Sequence, residues 1–167
     1  MKQKMIGYDA KRIVRNATGL GSYGRTLIND LAPLMPDTEL RLYAPDAGRD
    51  ELREQILPRE NVSFSHPRLH CRLQRDMWRM HGVVNNLKRD GVRIYHGLSG
   101  ELPCGLSKAG IPGVVTVHDL IFLRHPEFYP PIDVFFYKWK FRQMLREATR
   151  IIAISVCTRR DILAYSD

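Results

Sequence analysis

The sequence predicts an α/β domain on a doubly wound, mainly parallel sheet with helices on both faces. Short apolar runs alternate with longer amphipathic ones, the pattern of βαβ units. Several of the short runs, such as Val114-Val115-Thr116-Val117 and Ile151-Ile152-Ala153-Ile154, are almost continuously apolar, as strands buried on both faces are. Two long loops, Ala10–Thr18 and Gly97–Pro112, start at the carboxyl ends of predicted strands, the sheet edge where ligands of open α/β sheets bind.

Taken in order, Lys4–Asp9 is the first predicted strand, and a loop over Ala10–Thr18 follows it. Leu27, Leu31 and Leu34, spaced by four and three, mark a helix. Glu39–Ala44 and Val62–Ser65 are the next strands. Leu73, Met77, Met80, Val84 and Leu87 keep the i, i+4, i+7 rhythm of a second helix. The fourth strand, Val92–His96, leads into a loop over Gly97–Pro112. Val114–His118 is the fifth strand. Val134, Tyr137, Phe141, Met144 and Ala148 trace a third helix, and Arg150–Ser155 is the sixth strand. Cys157–Tyr165 begins a last helix with Ser155 as N-cap. The stop soon after it, at Asp167, leads us to expect a longer parent chain.

At 167 residues and 44% hydrophobic, the chain has material for one packed domain, residues 1–167, and not for two. The net charge of +8 favours anionic partners without choosing among them. No basic tail or nucleic-acid motif is present, and the aromatic residues fall in apolar segments, so nucleic acid is excluded as a partner. The apolar run near the N-terminus is too short for a secretory leader, and Asp9 interrupts it. Cys71, Cys104 and Cys157 are scattered and odd in number, the usage of reduced thiols in a cytoplasmic protein.

Four features could carry chemistry. Gly19-Leu20-Gly21-Ser22-Tyr23-Gly24 fits G-x-G-x-x-G, in which glycines before a helix let backbone amides approach an anion. A dinucleotide site would place the glycines directly after the first strand, whereas nine residues separate Asp9 from Gly19; Asp46 stands near the position of a ribose-binding acid. A free-standing nucleotide- or phosphate-binding module therefore remains the alternative reading. His118-Asp119 closes the fifth strand, where the histidine can face a ligand and Asp119 can orient its ring. Tyr95-His96-Gly97-Leu98-Ser99-Gly100 is a third strand end, in which His96 and Ser99 could meet a substrate. Lys138, Arg142, Arg146 and Arg150 are four apart on one helical face, with Phe135, Phe136 and Trp139 across from them. Such a helix can rest on anionic lipid at the inner face of a membrane; the plainer reading, preferred here, is a solvated face. His66, His70 and Cys71 do not form a metal site, because Pro67 disfavours a helix through His66 and no further ligand pair has the spacing.

Three segments together resemble a known family. Ile6-Gly7-Tyr8-Asp9-Ala10-Lys11-Arg12 with Gly19-Leu20-Gly21-Ser22-Tyr23-Gly24-Arg25 is similar to the opening of bacterial mannosyltransferase-like enzymes of GT-B fold. These are retaining, nucleotide-sugar-dependent enzymes of the glycosyltransferase group 1 type. Val115–Leu120 with Pro126–Pro131 resembles their central signature, and Ile151–Ser155 with Thr158–Ile162 the close of their N-terminal domain. The resemblance implies an acceptor-binding N-terminal domain, with Gly19, Gly21, Ser22 and Tyr23 where acceptor and donor phosphate meet. It gives His118 a contact with the donor sugar, making it the candidate catalytic residue, and puts Ser155 near the interdomain cleft. The family's nucleotide site uses two glutamates seven residues apart in a C-terminal domain. No two glutamates here have that spacing, so that domain is expected as a missing partner. The implied reaction moves mannose, from GDP-mannose as substrate, to a saccharide or lipid-linked saccharide in cell-surface polysaccharide synthesis. Neither cofactor nor metal is implied.

Overall fold

A computed structural model describes residues 4–166. Residues 1–3, part of the segment read above for a leader, and residue 167 lie outside the described residues. Six parallel strands form one sheet in the order β3-β2-β1-β4-β5-β6. They are β1 (Lys4–Asp9), β2 (Thr38–Tyr43), β3 (Val62–Ser65), β4 (Ile94–Gly97), β5 (Gly113–Val117) and β6 (Ala148–Ala153). Each lies within a few residues of its sequence-based expectation. The order reverses between β1 and β4, so a crevice opens at their carboxyl ends.

Alternation along the strands feeds two cores. Tyr8 of β1 with Leu40 and Leu42 of β2 packs on one face against α1 (Lys11–Arg15) and α2 (Gly19–Leu34). On the other face Tyr43, Tyr95, Val115 and Val117 meet Val83, Val84 and Leu87 of α5 (Val83–Asp90), Phe141 and Met144 of α7 (Pro131–Glu147), and Ile162 of α8 (Val156–Tyr165). In β2 the neighbours Leu42 and Tyr43 serve opposite cores, which is why such runs read as continuously apolar. The Ile151–Ile154 run does not follow this, because β6 is an edge strand and Ile152 and Ile154 are 44% and 54% exposed. The short helices α3 (Asp50–Arg53), α4 (Arg72–Met77) and α6 (Ile121–Arg124) complete the order, and a π-helical turn, Trp78–Gly82, joins α4 to α5. Gly91 ends α5 at φ 74°, a left-handed cap that favours glycine.

The structure corrects four expectations. The segment after β1 is not all loop: Lys11–Arg15 is a helix whose Ile13 and Val14 are fully buried, too short to show a period. Leu27, Leu31 and Leu34 are not the buried stripe of α2. Its inner face is Gly21, Gly24, Ile28 and Ala32, of which the two glycines bring α1 close, and Leu34 is 75% exposed. Leu73 and Met77 are exposed as well, because α4 rims a cavity instead of covering the sheet. Finally, α7 stops at Glu147, which puts Ala148 and Arg150 in β6 and leaves Lys138, Arg142 and Arg146 on the helix. Phe135, Phe136 and Trp139 are exposed there. No helix among the described residues is long and apolar enough to cross a membrane.

Candidate functional site

The glycine loop begins α2. Asn16 Oδ1 accepts from the Thr18 amide at 2.9 Å, from its hydroxyl at 2.8 Å and from the Gly21 amide at 3.2 Å. A Cβ on Gly21 would lie 1.8 Å from the Asn16 carbonyl oxygen and 2.8 Å from that of Arg12. Gly21 is thus held by the α1–α2 contact, which Arg25 reinforces by donating to the carbonyls of Ile13 and Asn16, both at 2.9 Å. Gly19 faces open space, and a Cβ there would touch nothing within 4 Å. The amides of Gly19 and Leu20 have no acceptor among the described residues, so the N-terminus of this 16-residue helix is available to an anion. Ser22 is exposed on the first turn, and Tyr23 turns toward the sheet. Asp46 does not stand ready for a ribose: it is ion-paired to Arg15 and, at 2.7 Å, to Arg75. Burial alone would raise its pKa, but these two arginines outweigh that and lower it.

His118 follows β5. Its Nε2 lies 2.9 Å from the Leu98 carbonyl oxygen, an acceptor only, so Nε2 carries the hydrogen, and Nδ1 has no hydrogen-bond partner among the described residues. Tyr23 meets the ring edge-on, with centroids 4.9 Å apart at 84°. Behind them Thr116 Oγ1 joins the Tyr23 hydroxyl at 3.2 Å to His96 Nε2 at 2.9 Å. Burial lowers the His96 pKa to about 4, which makes this ring neutral at pH 7. Burial, then Tyr23, raises the nearby Tyr8 to about 12. Asp119 does not orient the His118 ring as expected; its Oδ1 accepts from the Ile121 amide at 3.3 Å at the start of α6.

Ser155 caps α8 as its sequence suggested, accepting from the Thr158 amide at 3.0 Å. Thr158 Oγ1 donates to the His118 carbonyl at 3.0 Å, so Ser155 Oγ, also 3.0 Å from Thr158 Oγ1, donates to it in turn. The two residues tie the end of β6 to the backbone of His118. Ser99 is half-buried in the turn after β4, where the Gly100 amide donates to the Thr116 carbonyl at 2.8 Å. The structure therefore gathers Tyr23, His96 and His118 in one cluster and ties Ser155 to it; Ser22 and Asp119 stand apart from that hydrogen-bond chain.

A second set escaped the sequence reading. Beside β1 and β4, on the α7 face, lies a cavity of about 920 Å³ between α4 and α7. In its floor Arg79, on the π-helical turn, reaches Asp9 with Nε at 3.2 Å and Glu101 with its other arm. Lys140 donates to Glu101 at 3.0 Å. Burial would raise the Glu101 pKa, but Arg79 and Lys140 outweigh it and hold it down at about 2. Lys11 has no ion pair among the described residues; burial, then the Arg79 charge, lowers its pKa. Only Asp9, a charge inside an otherwise buried strand, hinted at this set.

The chain is 25% identical to the O-antigen chain mannosyltransferase B of Escherichia coli, over 154 aligned residues covering 87% of this chain and 39% of the relative. It thus spans about two fifths of the length of the curated relative it matches. A family model described as Glycosyltransferase Family 4 matches residues 18–166, from the N-cap of α2 through α8. With a Rossmann-like sheet and a match over most of its length, the chain belongs to Glycosyltransferase Family 4 as a GT-B-type N-terminal domain.

Proposed function

We propose that this chain is the acceptor-side domain of a retaining glycosyltransferase that moves a sugar, mannose in our reading, from a nucleotide-sugar donor such as GDP-mannose to a saccharide or lipid-linked saccharide. The family membership supports sugar transfer. Mannose and cell-surface polysaccharide as the product rest on the name of the Escherichia coli relative. The observation that carries the reading is His118, fixed at the carboxyl end of β5 with Nδ1 free.

The chemistry follows from what is available at this edge. As the bond to the donor diphosphate breaks, negative charge grows on the leaving phosphate and positive charge on the sugar ring. The Gly19 and Leu20 amides and the positive end of α2 stabilise the phosphate without reorganising during the reaction. His118 Nδ1 accepts from a hydroxyl of the donor sugar and orients the ring. Tyr23 and Leu98 hold the imidazole, and Thr158 with Ser155 holds its backbone. A C-terminal domain supplies the nucleotide site and closes the cleft.

The exposed Phe135 of α7, which does not line the cavity between α4 and α7, with Lys138, Arg142 and Arg146 on the same helix, suits contact with an anionic membrane at its cytoplasmic side. A free dinucleotide-binding module is the weaker reading, because α1 separates β1 from the glycines and Gly21 packs on Asn16. The test is transfer by the full-length enzyme from a panel of sugar nucleotides. His118→Ala should lower kcat/KM at least tenfold, and unchanged transfer would refute the role of His118. Vesicle binding that is insensitive to charge reversal at Lys138, Arg142 and Arg146 would refute the membrane contact.

A further inference from the structure

We propose that the cavity between α4 and α7 is a subsite for a neutral, hydroxyl-rich sugar ring of the acceptor, gripped by Lys11, Glu101 and Lys140 and stacked on Phe136 and Trp139. This rests on the transfer reading above and adds where, and by what chemistry, the acceptor is held.

The open hydrogen-bonding capacity of the floor points to a polyol. Each Glu101 oxygen accepts one hydrogen bond from the chain, Oε1 from Lys140 and Oε2 from Arg79, which leaves a lone pair on each. One of the three Lys140 hydrogens is used, and the Lys11 ammonium has no ion pair among the described residues. Donors and acceptors thus lie side by side. A sugar hydroxyl satisfies both at once, because it donates and accepts. Phosphate is mainly an acceptor and negatively charged, and here it would face Asp9 and Glu101, two carboxylates ion-paired to Arg79. The inner set balances Lys11, Arg79 and Lys140 against Asp9 and Glu101, leaving +1, too little to attract a polyanion. An aliphatic chain would desolvate these ion pairs and leave the Lys11 ammonium without a polar partner.

The wall supplies the other half of the recognition. Phe136 and Trp139 are three apart on α7, share one side of the helix and line the cavity, 51% and 41% exposed. The buried stripe of the helix, Val134, Phe141 and Met144, faces the sheet, so the fold does not need the two exposed rings for its core. Flat apolar faces beside fixed polar groups are the make-up of a small-molecule site, and about 920 Å³ is the size of one.

The 167-residue chain is titrated with neutral methyl glycosides and short oligosaccharides of mannose, glucose, galactose and N-acetylglucosamine, followed by saturation-transfer NMR and calorimetry. In a second arm the probes are inorganic phosphate and diphosphate. A neutral saccharide should bind, and Trp139→Ala and Glu101→Gln should each weaken it at least tenfold. Trp139→Ala alters an exposed ring and keeps the fold, which circular dichroism checks. The proposal is overturned if no saccharide in the panel binds, if binding ignores both substitutions, or if phosphate binds instead and loses affinity in Lys11→Met. Transfer by the full-length enzyme is read in parallel. Transfer with an unchanged acceptor KM in both variants overturns the subsite and leaves the proposed function standing. Saccharide binding without transfer of any sugar does the reverse.

Discussion

Replacing Arg79 with Met removes the cation that two carboxylates share while keeping most of the side-chain volume. Asp9 is 4% exposed and would retain only the Lys11 amide, 3.1 Å from Oδ1. Glu101 is the milder casualty, since it is more exposed and keeps Lys140. Breaking a buried ion pair by deleting one partner costs about 3–5 kcal/mol. With one carboxylate stranded and one still paired, we expect about 3 kcal/mol, a large part of the total stability of about 5–15 kcal/mol typical of a domain. For a chain of this size that corresponds to a fall in Tm of about 6–12 °C. The assay is urea unfolding followed by circular dichroism, with Asp9→Asn as the second arm of a double-mutant cycle. Neutralising Asp9 removes the stranded charge, so the double variant should be less destabilised than the sum of the single ones, by at least about 1 kcal/mol. A cost for Arg79→Met below about 1 kcal/mol, or full additivity with Asp9→Asn, would refute the view that Arg79 balances a buried charge.

Other expectations follow from the same geometry. His96 titrates near 6.5 when unfolded and near 4 when folded, so the unfolded chain binds more protons between these values. Stability should fall as pH drops from about 6.5 to about 4, by up to about 3 kcal/mol from this ring, and His96→Gln should flatten that part of the profile in urea titrations. Gly21→Ala should destabilise by more than about 2 kcal/mol because the added methyl meets backbone at 1.8 Å, whereas Gly19→Ala should be neutral or stabilising by about 0.5 kcal/mol; equal Tm values would contradict this contrast. Glu147 accepts from the Gly105 and Ser107 amides at 2.7 and 2.9 Å, which pins the loop after β4 to α7. Glu147→Ala should speed amide exchange at both positions, and unchanged protection would count against the anchor.

The middle of the sheet was legible because its strands are buried on both faces, whereas β6 is an edge strand and Ile152 and Ile154 of its run are exposed. Val114–Val117 needs no partner to be read as a parallel strand, and the glycines and prolines of the Gly97–Pro112 loop mark the ligand edge. The Ser155 cap was legible for a similar reason, as its bond to the Thr158 amide is local. What failed was contact at a distance. Arg79 reaches Asp9 across 70 residues and Glu101 across 22, and Lys140 reaches Glu101 across 39, separations that no periodicity records. The glycine motif misled in part because Gly21 and Gly24 serve helix packing as much as Gly19 serves openness. Helix α1 was missed because five residues cannot display a 3.6-residue period.

The most direct test of the central claim is a transfer assay on the full-length enzyme with radiolabelled GDP-mannose and other sugar nucleotides, using saccharide and lipid-linked saccharide acceptors. The account predicts acceptor-dependent incorporation of sugar, mannose from GDP-mannose, that drops at least tenfold in His118→Ala. No incorporation from any sugar nucleotide, together with submicromolar binding of a nicotinamide dinucleotide by the 167-residue chain, would contradict it.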